Sequence, residues 1–299
     1  MAISNPVFND LTSCGLVKRN NLEIISKSTR NAKINVIREN IEGIIFLEKY
    51  LTSKKYYKKK YKSKLKKGRF YSETKFLDGK KFLNKRVDDD KRRVKDFNKL
   101  IKNKIICDFG CGFGGFLKQS SKITKKFYGV ELGENCTKYL RINNIINQNY
   151  IDDFDFKFDL ITLFHTLHYI PDQIETLKKI KKKLKKNGKI IIEVPHANDL
   201  LLSKNTLPDF KKFTFCKESL IWHTEKSLKS FLKKAGYKNT KVSFFQRYEF
   251  ENHLGWLLKN KPGGHNYFQN KISSKLKSSY NEFLVKNKLT DTLIAVAGI

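Results

Sequence analysis

The feature that most constrains the fold is the glycine-rich run at residues 104–116, KIICDFGCGFGGF. An apolar stretch ends in Asp108, four glycines follow within seven positions, and Phe116 begins a helix-like segment. Glycine tolerates positive φ and lets the backbone approach a ligand closely. The run therefore predicts a buried parallel strand that turns sharply into a helix beside a nucleotide-like ligand.

The glycine spacing alone leaves the ligand open. Gly110, Gly112 and Gly115 fit the GxGxxG turn of dinucleotide-binding proteins, and a glycine-rich turn without a ligand is a further alternative. Asp108 would attract the cationic amino-acid end of S-adenosylmethionine (SAM), whereas it would repel a pyrophosphate. Glu131, which ends the next strand-like run, could accept both ribose hydroxyls of either ligand. The position of Asp108 therefore favours SAM.

Strand-like and helix-like segments alternate from residue 104 onward, which predicts a parallel sheet with helices on both faces. The predicted strands cover 104–109, 126–131, 158–164, 189–194, 240–246 and 291–297. The predicted helices include 114–122, 171–185 and 224–235. Together they indicate an α/β, Rossmann-like, mostly parallel sheet whose last strand is antiparallel.

The composition divides the chain into two parts. Residues 1–100 are predicted to form a basic, partly helical N-terminal appendage, in which the apolar positions of 36–46 fit either short strands or one helix. The acidic run 88–90 is expected near the start of a helix, where carboxylates interact favourably with the helix dipole. Residues 101–299 are predicted to form a SAM-binding domain that carries a substrate-facing insert at 247–289.

The chain resembles the class I SAM-dependent methyltransferases. The resemblance rests on DFGCGFGGF, on Glu131 and on FDLITLFHTLHYIPD at residues 158–172, and it covers about 104–245 plus a closing strand. It implies an enzyme that uses SAM as cofactor. By that resemblance the amino-acid end of SAM is expected beside Asp108, Gly110, Gly112 and Gly114. The ribose is expected at Glu131, and the adenine at Asp152 or Asp153.

All six histidines fall between residues 165 and 265. His165 and His168 follow the predicted strand 158–164, and they are the candidate bases for a hydroxyl acceptor because histidine titrates near neutral pH. For each of them, a hydrogen-bonded structural histidine or a merely exposed one is the alternative. The other substrate-binding candidates are Tyr169, His196, His223, Arg247, Tyr248, His253 and His265. No tight spacing such as HExxH occurs, so no metal is predicted.

Residues 246–268, QRYEFENHLGWLLKNKPGGHNYF, combine aromatic, basic and amide side chains with a Pro-Gly-Gly turn. Such side chains suit stacking on sugar rings and binding of phosphates, although an amphipathic helix followed by a turn gives the same pattern. The segment resembles one in methyltransferases of bacterial surface-glycan pathways. That resemblance implies a small anionic substrate, either a nucleotide-linked sugar or another glycan precursor.

The net charge of +33 is the second large feature of the chain. It fits a lysine-rich composition bias, yet it must also attract anions, including nucleic acid. Residues 54–69 interleave lysines with Tyr56, Tyr57 and Tyr61, which suits single-stranded nucleic acid or a solvated helix with packed tyrosines. A nucleic-acid methyltransferase is therefore one alternative, although no Pro-Pro motif follows the predicted strand 158–164. A SAM-binding regulator without activity is another.

The remaining features point to a reducing, cytoplasmic setting. The five cysteines form no CxxC pair, no stretch of about 18 apolar residues occurs, and the first residues lack a secretory leader. The oligomeric state is not indicated by any of these features.

Overall fold

The computed structural model of the protein describes residues 2–59, 79–203, 207–268 and 271–299. The strands, in chain order, are β1 (Leu22–Ser26), β2 (Val36–Glu39), β3 (Ile45–Leu47), β4 (Ile105–Phe109), β5 (Lys126–Val130), β6 (Asn147–Gln148), β7 (Phe158–Phe164), β8 (Leu184–Pro195), β9 (Ile221–Trp222), β10 (Lys238–Phe245) and β11 (Thr292–Gly298).

The larger sheet has the strand order β10-β11-β8-β7-β4-β5-β6. Strands β4 to β8 pair in parallel, whereas β11 is antiparallel to both β8 and β10. The central strand β7 is an almost continuous apolar run that is buried along nearly its whole length, as expected for a strand covered on both faces. The predicted α/β fold with an antiparallel last strand is confirmed.

Helices surround this sheet. They are α1 (Val7–Ser13), α2 (Lys54–Lys59), α3 (Gly79–Asp96), α4 (Asn98–Ile101), α5 (Gly115–Ser120), α6 (Glu134–Ile142), α7 (Gln173–Lys182), α8 (Pro208–Thr214), α9 (Glu225–Lys234), α10 (Phe250–Lys259), α11 (Gly264–Phe268) and α12 (Ser274–Lys286). Thr224 caps α9 by accepting a hydrogen bond from the Ser227 N–H. In the described residues, no helix is long and apolar enough to span a bilayer.

A second, smaller sheet has the order β1-β2-β3-β9, and all its pairings are antiparallel. The residues at 36–46 therefore form strands rather than one helix, because Val36, Ile37 and Phe46 are fully buried on it. Its last strand comes from residues far along the chain, and the Asn5 side-chain amide donates to both Leu47 O and Leu220 O. The N-terminal strands thus share one sheet with residues 221–222.

Two predicted helix limits are wrong. The acidic run 88–90 lies inside α3 and not at its start, because Asp90 pairs there with Arg93 on the next turn. The helix that starts near Pro171 ends at Lys182 rather than near 185. The chain leaves it early because Leu184 already pairs with Phe158 in the sheet, and residues 185–188 form an irregularity before the pairing resumes at Lys189.

Candidate functional site

The turn after β4 depends on glycine. Gly110, Gly112 and Gly114 have φ values of 81°, 55° and 73°, in the left-handed region that side chains disfavour. A Cβ on Gly110 would lie 2.4 Å from the Thr166 Oγ1, and one on Gly114 would lie 2.7 Å from a methyl carbon of Leu140. Gly110 and Gly112 line the cleft described below, whereas Gly114 is absent from its described lining and packs against Leu140.

Asp108 lies at the carboxyl end of β4 and is buried. The Thr162 hydroxyl on the neighbouring strand β7 donates to it at 2.7 Å. Burial raises the pKa of Asp108 to about 7, because a charge is poorly solvated there. A cationic group placed against this carboxylate would restore its charge, which fits the amino-acid end of SAM.

Glu131 follows β5 and faces the same turn. Its two carboxylate oxygens accept hydrogen bonds from the Gly112 N–H at 2.9 Å and from the Gly133 N–H at 2.7 Å. These bonds fix the carboxylate beside the glycine turn, and a carboxylate oxygen can accept more than one hydrogen bond. The residues present therefore fit a ribose with two adjacent hydroxyls.

The two candidates for the adenine end differ in position. Asp152 lines the cleft described below, whereas the Asp153 carboxylate accepts a hydrogen bond from the Tyr150 N–H at 3.1 Å. Asp153 is thus occupied in closing its own short helical turn. Of the pair, Asp152 is the one that the fold presents to a ligand.

A cleft of about 1600 Å³ runs from the glycine turn across the carboxyl ends of the parallel strands. We call its first part, around Asp108, Gly112 and Glu131, the donor half. We call the remainder the acceptor half, and its aromatic walls come from Tyr50, Tyr56, Tyr57, Tyr169, Phe210, Phe213, Trp222 and Trp256. Such a cleft has room for a cofactor and a second molecule.

Both candidate bases lie where the two halves meet. His165 comes directly after β7, lines the cleft, and adopts an unusual left-handed backbone with φ of 51°. His168 also lines the cleft but is almost fully buried, with its ring 3.9 Å from that of Tyr169. His165 is therefore the better exposed of the two toward an acceptor.

The remaining predicted substrate residues separate into two groups. Tyr169, His196, Arg247, Tyr248 and His265 line the cleft. His196 is buried, its Nδ1 lies 2.8 Å from Thr290 O, and burial lowers its pKa to about 4.

His223 and His253 are absent from the described residues that line the cleft. His223 is fully buried between Ser227 and Gln173, at 3.0 and 2.9 Å. His253 is held in the same way by Gln246 and Tyr280, at 3.0 and 2.8 Å. Burial lowers the pKa of both rings, which keeps them neutral. Their contacts are those of structural residues rather than of substrate ligands.

The cleft is also lined by residues that the sequence did not indicate, among them Arg30, Asn31 and Glu218. Glu218 links two N-terminal segments to the cleft wall. It accepts hydrogen bonds from the Tyr56 hydroxyl at 2.6 Å and from the Asn31 side-chain amide at 2.9 Å. Arg30 and Lys217 lie beside it, also on the cleft wall. The tyrosines among the lysines of 54–69 were the one available signal; Tyr61 lies outside the described residues.

A buried ion cluster fastens α3 over the sheet. The Glu193 side chain, on β8, is fully buried and accepts hydrogen bonds from Arg92 at 2.8 Å and from Arg93 at 2.8 and 2.9 Å. Arg93 also contacts Asp90 at 3.0 Å, and both line the cleft. These arginines therefore have protein partners, and they position α3 at the donor half.

The first part of the insert, α10 and α11, forms a tight helical hairpin. A Cβ on Gly264 would lie 1.7 Å from Glu251 O, and one on Gly255 would lie 2.7 Å from the Gly264 Cα. Helices α10 and α11 thus touch backbone to backbone, and the Pro-Gly-Gly turn serves this contact. The hairpin places Asn252, Trp256 and His265 on the cleft wall.

Comparison with known families gives a match over residues 80–242 to the family described as "Methyltransferase domain". The match covers more than half of the chain and includes β4, β5 and β7 with the donor half. A crystal structure of a SAM-dependent methyltransferase from Archaeoglobus fulgidus is similar in fold, with a TM-score of 0.51 and 21% identity. It covers 73% of this chain and 99% of that one.

The matches to curated relatives cover a smaller part of each chain. A tRNA U34 carboxymethyltransferase from Aliarcobacter butzleri is 22% identical over 156 residues, which are 48% of this chain and 50% of the relative. One of the same name from Campylobacter fetus is 24% identical over 167 residues, 50% of this chain and 56% of the relative. The chain spans about half the length of the curated relatives it matches.

Proposed function

The chain belongs to the methyltransferase-domain family, and from this premise we propose that it moves the methyl group of SAM to a hydroxyl of a nucleotide- or lipid-linked sugar. The cofactor follows from the family and from the fit of Asp108, the glycine turn and Glu131. The acceptor is our inference from the other half of the cleft.

The observation that carries the proposal is the aromatic lining of the acceptor half. Tyr56, Phe213 and Trp256 belong to this wall, and the Phe213 and Trp256 rings are 5.0 Å apart. Such rings offer flat apolar faces against which a sugar ring can pack while its hydroxyls remain available. The acceptor half therefore suits a ring-shaped acceptor better than a flexible peptide.

Cations stand at the edge of this aromatic wall. The Arg30 guanidinium carbon is 5.6 Å from the Phe213 ring centre, and the Lys217 nitrogen is 5.1 Å from that of Tyr56. Guanidinium and ammonium groups bind phosphate oxygens. An acceptor with a sugar at the wall and a phosphate at these cations matches both features.

Methyl transfer from SAM requires little of the protein beyond placing SAM and the acceptor next to each other. When bound, SAM supplies an electrophilic methyl group on its sulfonium sulfur. Asp108 and Glu131 would hold its two ends, and the aromatic wall would orient the acceptor and exclude water. His165 would accept the hydroxyl proton while the acceptor oxygen bonds to the methyl carbon and the carbon–sulfur bond breaks, so that neutral S-adenosylhomocysteine leaves.

The test is the fate of tritium from methyl-labelled SAM in an extract of the source cell, separated into anionic metabolites, lipid-linked glycans and nucleic acid. Label in either of the first two fractions supports the proposal. With the identified acceptor, His165→Gln should lower kcat by about a hundredfold or more with SAM affinity unchanged. An unchanged kcat would assign the base elsewhere, and His168→Gln is the matched variant.

A second candidate is transfer to nucleic acid. The names of the curated relatives and the net charge of +33 favour it. Label in the nucleic-acid fraction, together with RNA binding that weakens steeply with salt, would replace the sugar by RNA. Turnover on either acceptor would exclude a SAM-binding regulator without activity.

A further inference from the structure

The α10–α11 hairpin has two faces of different character. One face lines the acceptor half through Asn252, Trp256 and His265. The opposite side, at the tip, exposes apolar side chains: Leu257 is 54% exposed and Leu258 is 67% exposed. We call the exposed residues Leu257, Leu258, Lys259, Lys261 and Tyr267 the hairpin tip.

The tip combines the leucines with an aromatic ring and lysines. Tyr267 is 46% exposed, and the Lys259 nitrogen lies 4.1 Å from the centre of its ring. Lys261 is also exposed. Neighbouring leucines left in water are unfavourable, and an exposed apolar patch edged by polar groups commonly marks an interaction site. Leucine with tyrosine and lysine is the composition of segments that lie in a membrane interface.

We propose that the hairpin tip docks on an anionic lipid surface and so brings the acceptor half to a lipid-carried acceptor. The two leucines would enter the boundary between headgroups and acyl chains, while Lys259 and Lys261 remain among the anionic headgroups. The net charge of +33 adds a long-range attraction to the same surface. This inference rests on the proposed function for its account of the acceptor, but the docking itself can be measured alone.

The tip suits a bilayer better than its two rivals. Single-stranded nucleic acid is held by stacking rings and cations, and two exposed aliphatic side chains add little to that. A second copy of the chain related by two-fold symmetry would bring the same lysines of each copy together. Such like charges repel at close range, whereas an anionic lipid surface is complementary to them.

Vesicle sedimentation without SAM or acceptor tests the docking. The probes are phosphatidylcholine vesicles and equimolar vesicles of phosphatidylcholine and phosphatidylglycerol. The wild-type chain should bind the anionic vesicles, and Leu257→Ser with Leu258→Ser should weaken that binding about tenfold or more. The matched control is Ile142→Ser with Ile146→Ser, at positions 70% and 60% exposed on α6 and the loop after it.

The charge contribution has its own pair of variants. Lys259→Glu with Lys261→Glu should abolish binding to anionic vesicles, while Lys125→Glu with Lys126→Glu, which changes the net charge equally, should reduce it much less. Equal losses in the two pairs would mean that net charge alone attracts the vesicles, and would overturn the proposal.

Further outcomes of the vesicle experiment also test the docking. No binding by the wild-type chain, or equal binding by the leucine variant and its isoleucine control, overturns the docking. A leucine variant that changes sedimentation velocity or RNA binding instead would assign the tip to a second copy or to nucleic acid. If vesicles bind but no glycan is methylated, the docking stands and the proposed function fails.

Discussion

The two halves of the cleft are built in different ways. Residues 105–131 supply most of the donor half in one continuous segment, and its shape comes from backbone N–H groups and positive φ angles. The acceptor half is assembled from side chains of residues 30–57, 165–169, 210–222 and 247–265. A local backbone site tolerates little change, whereas walls from separate segments can vary one at a time. The acceptor can therefore differ between proteins that share one donor site.

The largest effect is expected where the donor backbone is most constrained. Gly110→Ala should lower the free energy of unfolding by about 3 kcal/mol, because it adds both left-handed strain and a clash with Thr166. Gly112→Ala should cost only about 1 kcal/mol, since its Cβ meets nothing within 4 Å. Urea unfolding of both variants measures this; equal losses would contradict the role of the close contact.

The next effect concerns charge in the donor half. SAM should bind more tightly as the pH rises through about 7, because only ionised Asp108 attracts its cationic end. Asp108→Asn should weaken SAM binding about tenfold at pH 7.5 and remove this dependence on pH. Calorimetric titration from about pH 6 to about pH 7.5 checks both expectations. A wild-type affinity that is flat over this range would contradict them.

The same group affects stability with a sign opposite to that on SAM affinity. Asp108 holds its proton up to about pH 7 in the fold, against 3.8 as its ordinary value. The stability from this proton is fully present below pH 3.8 and is lost as the pH rises through 7. Asp108→Asn should therefore leave the unfolding free energy at pH 8 unchanged or raised, whereas a loss there would show that the ionised carboxylate is stabilising.

A smaller effect is expected in the acceptor half. Tyr56→Phe removes the hydroxyl that donates to Glu218 at 2.6 Å, so the Glu218 carboxylate on the cleft wall loses one hydrogen bond. The acceptor KM should rise about three- to tenfold, with the SAM dissociation constant unchanged. Steady-state kinetics with varied acceptor measures it. A parallel loss of SAM affinity would show that the two halves are not independent.

The smallest effect is expected at the hairpin. His265→Ala should raise the acceptor KM about two- to threefold without changing the melting temperature, because the side chain is exposed at the cleft wall. Asn266→Ala, next to it but absent from the described cleft lining, is the control and should change neither quantity. If both variants alter KM alike, the hairpin acts through its packing rather than through His265.

The contrast between the donor half and the acceptor half also explains which features the sequence predicts. The strand, turn and helix around Asp108 are local, so residue order alone predicts them and the fold that follows. Tyr56 and Glu218 are 162 positions apart, and nothing in their neighbourhoods indicates that they meet. His223 and His265 carry the same side chain, yet tertiary packing buries the first and leaves the second at the cleft. The acidic run 88–90 has the pattern of a helix start, but its partners Arg93 and Arg247 place it mid-helix.

The strand β9 has only two residues, yet it belongs to the same sheet as β1, β2 and β3. The chain enters β9 directly from Glu218 and Ser219, which line the acceptor half. A molecule bound there would hold β9 against β3, and the amide protons of residues 45–47 would exchange with solvent more slowly. Binding in the cleft should thus be measurable as slower amide hydrogen exchange in a segment more than fifty residues before the glycine turn.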